Sequence, residues 1–324
     1  MKTIVTLTMN PALNMFLEVP RVVAGRKLRC ETPVYGAGGG GISVSRAIRR
    51  LGGTSTAIFP AGGATGDLLI DLLRRETIPV NAVHVTEPTR QDVSVLERAT
   101  GNDFRFFVPG PDLAANEWEQ CLRAVRSLDP VPDIVVASGT LPPCVPVDFY
   151  GRVAAIARDI GFKLIVDTSG EPLRYAAAEG TYLLKPNVAE VALITGGAIS
   201  QTIIEAAARA IVATFRAHAV VISAGPAGAM LVDGRGLRRI AAPVVPVASK
   251  AGAGDSMVAG IAVALARGWD LDNAVEFGVA AGSAAVMATG HQLCRREDAE
   301  MLFERMRGDS PAVPDANLTA AVTL

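Results

Sequence analysis

The stretch Lys250-Ala251-Gly252-Ala253-Gly254-Asp255-Ser256-Met257 decides how the rest of the chain is read. Ahead of it, Val244-Val245-Pro246-Val247 reads as an apolar strand; behind it, Val258 to Ala266 reads as a buried, Ala-rich helix. Small residues at a strand-to-helix turn let backbone N–H groups converge at the helix start, where the helix dipole adds positive potential. Gly252, Ala253 and Gly254 are thus a candidate anion seat. Asp255 puts a carboxylate beside it, suited to take the proton of a hydroxyl attacking a phosphoryl group. The plainer alternative is a tight turn with Asp255 as the helix cap.

Working outward, composition narrows the class. Half of the 324 residues are hydrophobic and 19% are charged, which describes a globular chain with a large core. Aromatics are few and the apolar residues are mainly aliphatic, as parallel strands buried under helices require. A net charge of −1 gives no reason to expect nucleic acid or a membrane surface as partner. Cys30, Cys121, Cys144 and Cys294, and His84, His218 and His291, are scattered without metal-ligand spacing. The first residues lack the features of a secretory signal, and no run is long and apolar enough to span a bilayer, so a cytoplasmic location is expected.

Ile4 to Leu7 reads as a first strand. Between Leu13 and Val34 short alternating segments, including Lys27-Leu28-Arg29-Cys30, predict exposed antiparallel strands. Val83-His84-Val85, Val93 to Leu96 and Phe104 to Val108 also read as strands, which could join residues 13–34 in a small sheet apart from the main body. From Asn116 onward strands and helices alternate, which predicts a parallel sheet with right-handed crossovers. A hairpin around Asp233-Gly234 and helices over Leu271–Thr289 and Arg296–Met306 follow.

In an open α/β sheet, ligands sit beyond the carboxyl ends of the strands. Ser138-Gly139-Thr140, Asp167-Thr168-Ser169-Gly170, Lys185-Pro186-Asn187 with Glu190, and Ser223 to Gly228 each follow a strand and open toward one rim. Each alone could be an ordinary turn. Together they describe phosphoryl transfer. Gly225 and Gly228 suit a nucleotide, Lys185 neutralises phosphate, and Asn187 and Glu190 offer oxygens for Mg²⁺ or its waters. No Walker A sequence is present, and Gly36 to Gly41 is not a dinucleotide fingerprint on the first strand.

Asn10-Pro11-Ala12-Leu13, Gly38-Gly39-Gly40-Gly41-Ile42, Lys185-Pro186-Asn187-Val188-Ala189-Glu190 and Gly252-Ala253-Gly254-Asp255-Ser256 resemble the signatures of the ribokinase-like sugar kinases. The likeness runs from about residue 3 to 306 and is nearest to the phosphofructokinase B branch, among its minor 6-phosphofructokinases. It implies one Rossmann-like αβα sandwich over residues 1–309 with a small β-sheet lid from about 13–34 and 88–109, followed by a tail at 310–324. It also implies a homodimer whose lids clasp one another, and transfer of the ATP γ-phosphate with Mg²⁺ to a phosphorylated ketohexose, fructose 6-phosphate first. Tagatose 6-phosphate or fructose 1-phosphate as acceptor, an unphosphorylated acceptor, or a binding protein without turnover are the alternatives.

By resemblance Asp255 is the catalytic base, with Gly252, Ala253 and Gly254 around the transferring group. Asn14, Gly38, Gly39 and Ser43 would meet the sugar, and Lys27, Arg29, Arg90, Arg105 and Ser138 its phosphate. Lys185, Asn187, Ser223, Gly225, Gly228 and Lys250 would meet ATP. The chain departs from the branch at Asn14, where an Asp is usual, and at Ser43, where an Asn is usual. Lys250 and Cys144 are further departures, and together these leave the acceptor open.

Overall fold

The computed structural model describes residues 2–195, 201–214, 217–288 and 292–308. Phe215, Thr289, His291 and the tail at 310–324 lie outside them. Parallel strands run as β1 (Ile4–Leu7), β4 (Thr56–Ala61), β5 (Val80–His84), β8 (Ile134–Ser138), β9 (Lys163–Asp167), β10 (Leu183–Leu184) and β11 (Ala219–Ser223). An antiparallel hairpin, β12 (Ala229–Asp233) and β13 (Gly236–Ile240), extends this sheet at one edge. Among the described residues the sheet has nine strands in the order β13-β12-β11-β10-β9-β8-β1-β4-β5. The chain order therefore reverses at β1, between β8 and β4, and a crevice opens there past the strand ends.

Alternation along the strands feeds two cores. Val5 and Leu7, Val135 and Ala137 face α3 (Ala115–Arg126), α4 (Phe149–Ile160), α5 (Gly170–Glu179), α6 (Val188–Thr195) and α7 (Gln201–Thr214). Ile4, Ile134 and Val136 face α1 (Gly40–Arg50), α8 (Ala253–Ala266), α9 (Leu271–Met287) and α10 (Arg296–Gly308). A third cluster packs α2 (Gly63–Arg75) onto β4 through Leu69, Leu73, Ala57 and Phe59. Helices on both faces of the central strands are why β1, β8, β9 and β11 carry nearly continuous apolar runs.

A second, four-stranded sheet, the candidate lid, is ordered β3-β2-β6-β7, from β2 (Ala12–Val19), β3 (Val34–Gly38), β6 (Arg90–Glu97) and β7 (Asp103–Phe106). Three expectations need correction. Lys27 to Cys30 is irregular, inside a long exposed connection from β2 to β3. Val83 to Val85 belongs with β5 at the edge of the main sheet, not with the lid. Val244 to Val247 joins no ladder; Pro243 and Pro246 have no N–H to donate, and Val244 is 86% exposed. Helix α5, Gly170–Glu179, was not foreseen, because the stretch Asp167 to Gly170 read as a turn.

Candidate active site

Close approach of backbone to backbone builds the crevice. A Cβ on Gly40 would lie 2.5 Å from Ser138 Oγ and 2.6 Å from Gly139 N. One on Gly41 would lie 2.6 Å from Leu7 O and from Thr8 Oγ1. Only glycine lets the start of α1 meet the ends of β1 and β8 at the switch point. Gly39 (φ +104°) turns the chain into the helix, and Ser43 N closes the first helical bond on Gly39 O at 2.8 Å. Gly38 packs directly beneath the Asn14 amide.

Parallel register then sets the polar rim in a row. Ser138 is in register with Asp167, Lys185 N donates to Val166 O, and Asn187 bridges to Ser223. Ser138 is fully buried, and its loop is pinned from behind: Tyr150 Oη and Thr168 Oγ1 both donate to Gly139 O at 2.9 Å, while Gly139 N donates to Asp167 O. A cavity of about 520 Å³ lies beside it, lined among others by Asn10, Gly110, Thr140, Thr168 and Ser169.

Across this row stands the start of α8. Gly252 is its N-cap, left-handed at φ +71°, and no side chain caps the helix. Asp255 sits in the first turn without serving as the cap, so the plainer alternative for this residue falls away. The uncapped N–H groups of the turn remain available to an anion.

Asp255 is governed by two neighbours. Burial and the Asp167 charge push its carboxyl up to about 7, and the Lys185 cation pulls the other way. Lys185 is almost wholly buried and ion-paired to Asp167 at 3.1 Å. Its amine lies 3.8 Å from where a Gly254 Cβ would be, so it faces the candidate anion seat. Burial works against the Lys185 charge, but Asp167, Glu190 and Asp255 outweigh it and hold the amine above its ordinary range. Burial likewise raises Asp167, and Lys185 draws it back. A carboxylate half ionised near neutrality, beside a buried cation and free N–H groups, is equipped to deprotonate a hydroxyl while phosphate charge builds nearby.

Asn187 and Glu190 cap α6 reciprocally: Asn187 N donates to Glu190 Oε2 at 2.8 Å and Glu190 N to Asn187 Oδ1 at 2.9 Å. Burial raises the Glu190 carboxyl. One Glu190 oxygen remains for a metal or its water, which suits Mg²⁺, an ion that uses one or two carboxylates and keeps several waters.

The remaining expected residues lie further out. Gly225 (φ +54°) is open, whereas a Cβ on Gly228 would reach within 2.0 Å of Ile240 O, so Gly228 is first a packing requirement. Lys250 is exposed just ahead of Gly252. Lys27 and Arg29 are exposed in the β2–β3 connection, and Arg105 pairs with Asp103 on β7 at 2.7 Å. Within one chain these three are not brought to Ser138 by any described contact. Arg90, at the root of the small sheet, does not touch Ser138 either, and reaches that loop only through Asn10, whose Nδ2 donates to Thr140 Oγ1 at 3.2 Å. Arg90 pairs with Asp92 at 3.0 Å and donates to Val108 O and Asn10 O. Asp167 stands in the rim that the sequence predicts, but its pairing with Lys185 is not legible there, and Tyr150 and Asp92 carry no mark in the sequence.

With this geometry in view, residues 12–298 match the pfkB family of carbohydrate kinases. The chain belongs to that family. It is 43% identical over 305 residues to ATP-dependent 6-phosphofructokinase isozyme 2 of Mycobacterium tuberculosis H37Rv, covering 93% of this chain and 89% of that one. The isozyme of the same name from Escherichia coli K12 is 41% identical over 305 residues, covering 94% and 98%. The crystal structure of Escherichia coli phosphofructokinase-2 in complex with fructose-6-phosphate superposes with a TM-score of 0.89 at 40% identity, over 95% of this chain and all of that one. As a member of the family the chain is a phosphotransferase with an alcohol group as acceptor. The ribokinase-like αβα fold expected from the sequence is the fold observed.

Proposed function

We propose that this kinase moves the γ-phosphate of ATP to a hydroxyl of a phosphorylated ketohexose, converting fructose 6-phosphate to fructose 1,6-bisphosphate. The observation that carries the reading is Asp255, a carboxylate raised to about 7 at the mouth of an uncapped helix start. The acceptor oxygen forms its bond to the γ-phosphorus, the bond to ADP breaks, and the hydroxyl proton passes to Asp255. Gly252, Ala253 and Gly254 present N–H groups to the transferring phosphoryl, and Lys185 balances the charge that gathers there. Asn187 and Glu190 would hold Mg²⁺, which supplies charge neutralisation on the nucleotide phosphates.

Ser138, pinned by Tyr150 and Thr168, and Arg90 at the lid root grip the phosphate the acceptor already carries, with Asn14, Gly38, Gly39 and Ser43 along the sugar. Ser223, Gly225, Gly228 and Lys250 line the nucleotide side. Residues 1–309 act as one kinase domain with the four-stranded sheet as lid, in the cytoplasm, as a homodimer joined through the lids. Support for the dimer comes from the edges at β3 and β7, which pair with no further strand among the described residues, and from exposed Tyr35, Phe106 and Phe107 on or beside them.

ADP release measured across fructose 6-phosphate, tagatose 6-phosphate, fructose 1-phosphate, fructose and ribose tests the assignment. Turnover is expected with fructose 6-phosphate above the others. A preference for fructose or ribose would remove the acceptor-phosphate grip, and silence with every sugar in protein that binds ATP would leave a binding protein.

A further inference from the structure

Arg90 and Asp92 lie two residues apart on β6, and the chemistry above uses only the arginine. Their pair is almost closed to solvent, with the side chains 13% and 7% exposed. Arg90 Nη1 reaches both Asp92 oxygens, at 3.1 and 3.0 Å, and Val108 O at 3.1 Å; Nη2 reaches Asn10 O at 3.2 Å. Asp92 Oδ1 in turn accepts from Val108 N at 3.1 Å. One guanidinium thus ties together the β1–β2 turn, β6 and the segment leaving β7, the three passages that join lid and body at this side. Its Nε is buried and has no hydrogen-bond partner. A planar fork held by a carboxylate and two carbonyls keeps its two remaining donors, Nε–H and one N–H of Nη2, in fixed directions.

The neighbouring strand adds a constraint. β2 and β6 run parallel with Asn14 in register with Asp92. Strand spacing of about 4.8 Å brings the two side chains together on one face of the sheet. Carboxylates at both positions would compete for the single arginine and repel one another. This pair of positions has room for one negative charge, and this chain places it at 92.

We propose that Asp92 is a positioning residue that sets acceptor specificity, clamping Arg90 so that its unspent donor edge meets the acceptor's phosphate. The inference rests on reading Arg90 as a ligand of that phosphate. It makes Asn14 and Asp92 a coupled pair, in which the charge can be exchanged but neither doubled nor removed.

The test is a double-mutant cycle on the full chain with Mg-ATP and fructose 6-phosphate. Asp92→Asn and Asn14→Asp are each expected to raise the fructose 6-phosphate KM roughly tenfold or more, the scale of one charge-assisted contact. In Asp92→Asn the turnover number and the ATP KM should stay within about threefold, a split that a general loss of structure would not give. The double variant Asn14→Asp/Asp92→Asn should return KM to within about threefold of the parent. An unchanged KM in Asp92→Asn, or a double variant as impaired as the two singles combined, would overturn the proposal. If Asp92→Asn fails to fold, the double variant decides: its folding and binding would support the exchangeable charge, and its failure would make Asp92 a structural strut. Arg90→Ala separates the two layers. No effect on KM would sink the reading of Arg90 itself, whereas a large effect beside a silent Asp92→Asn would sink only the inference.

Discussion

Asp255 owes its value of about 7 to burial and Asp167 on one side and Lys185 on the other. With the base half protonated there, kcat/KM should fall about tenfold per pH unit below 7 and level off above it. Asp167→Asn removes the charge that raises Asp255 and releases Lys185 to face it, so the acid limb of the profile should move to lower pH. A limb that stays in place or moves up would contradict this electrostatic wiring. The stability linkage has a definite sign. A carboxyl raised above its unfolded value near 3.8 keeps its proton longer in the folded state, so its contribution to stability declines as pH rises from about 4 through 7. Asp255→Asn should therefore raise the melting temperature at pH 8 more than at pH 5. The same variant should retain ATP binding and lose roughly 10²–10⁴ in turnover; activity within a few-fold of the parent would mean that the carboxylate is not the base.

At the scale of elements, the glycine run is where helix and strand depend on each other. Gly40→Ala would push a methyl into Ser138 Oγ and Gly139 N. Forced shifts of this kind cost about 1–3 kcal/mol. Chemical denaturation should show that loss together with a raised acceptor KM, because the group displaced is the Ser138 loop itself; a stable variant with normal KM would show that the close approach is incidental. Such packing was legible only in part. Gly38 to Gly41 before an amphipathic helix, and the polar residues ending β8, β9, β10 and β11, announced a rim in the sequence, because strand ends are punctuated by turn residues. Pairing was not announced. That β2 lies parallel to β6, with Asn14 beside Asp92, depends on a crossover of some seventy residues that no local pattern encodes. The absent Asp at position 14 therefore looked like a lost contact, when its register neighbour carries a carboxylate. Val244 to Val247 misled for the opposite reason: its apolar run was genuine, but Pro243 and Pro246 deny it a ladder.

For the whole molecule, the body buries its strands on both faces while the lid leaves Phe106 59% and Phe107 68% exposed. Such aromatics, beside unpaired strand edges, are expected to be covered by a second copy. Light scattering should give twice the chain mass, and Phe106→Asp with Phe107→Asp should give the chain mass with impaired turnover; a fully active monomer in the parent protein would contradict the assembly. A closed lid would also keep water from the transferring phosphoryl, so hydrolysis of ATP without acceptor should be slow. The central claim is transfer from ATP to a sugar that already bears a phosphate. Phosphorus NMR of the products formed from Mg-ATP and fructose 6-phosphate tests it most directly. The expected result is stoichiometric ADP and fructose 1,6-bisphosphate, with the product signal nearly absent in Asp255→Asn over the same time. ADP accompanied by free phosphate, or no bisphosphate at all, would contradict it.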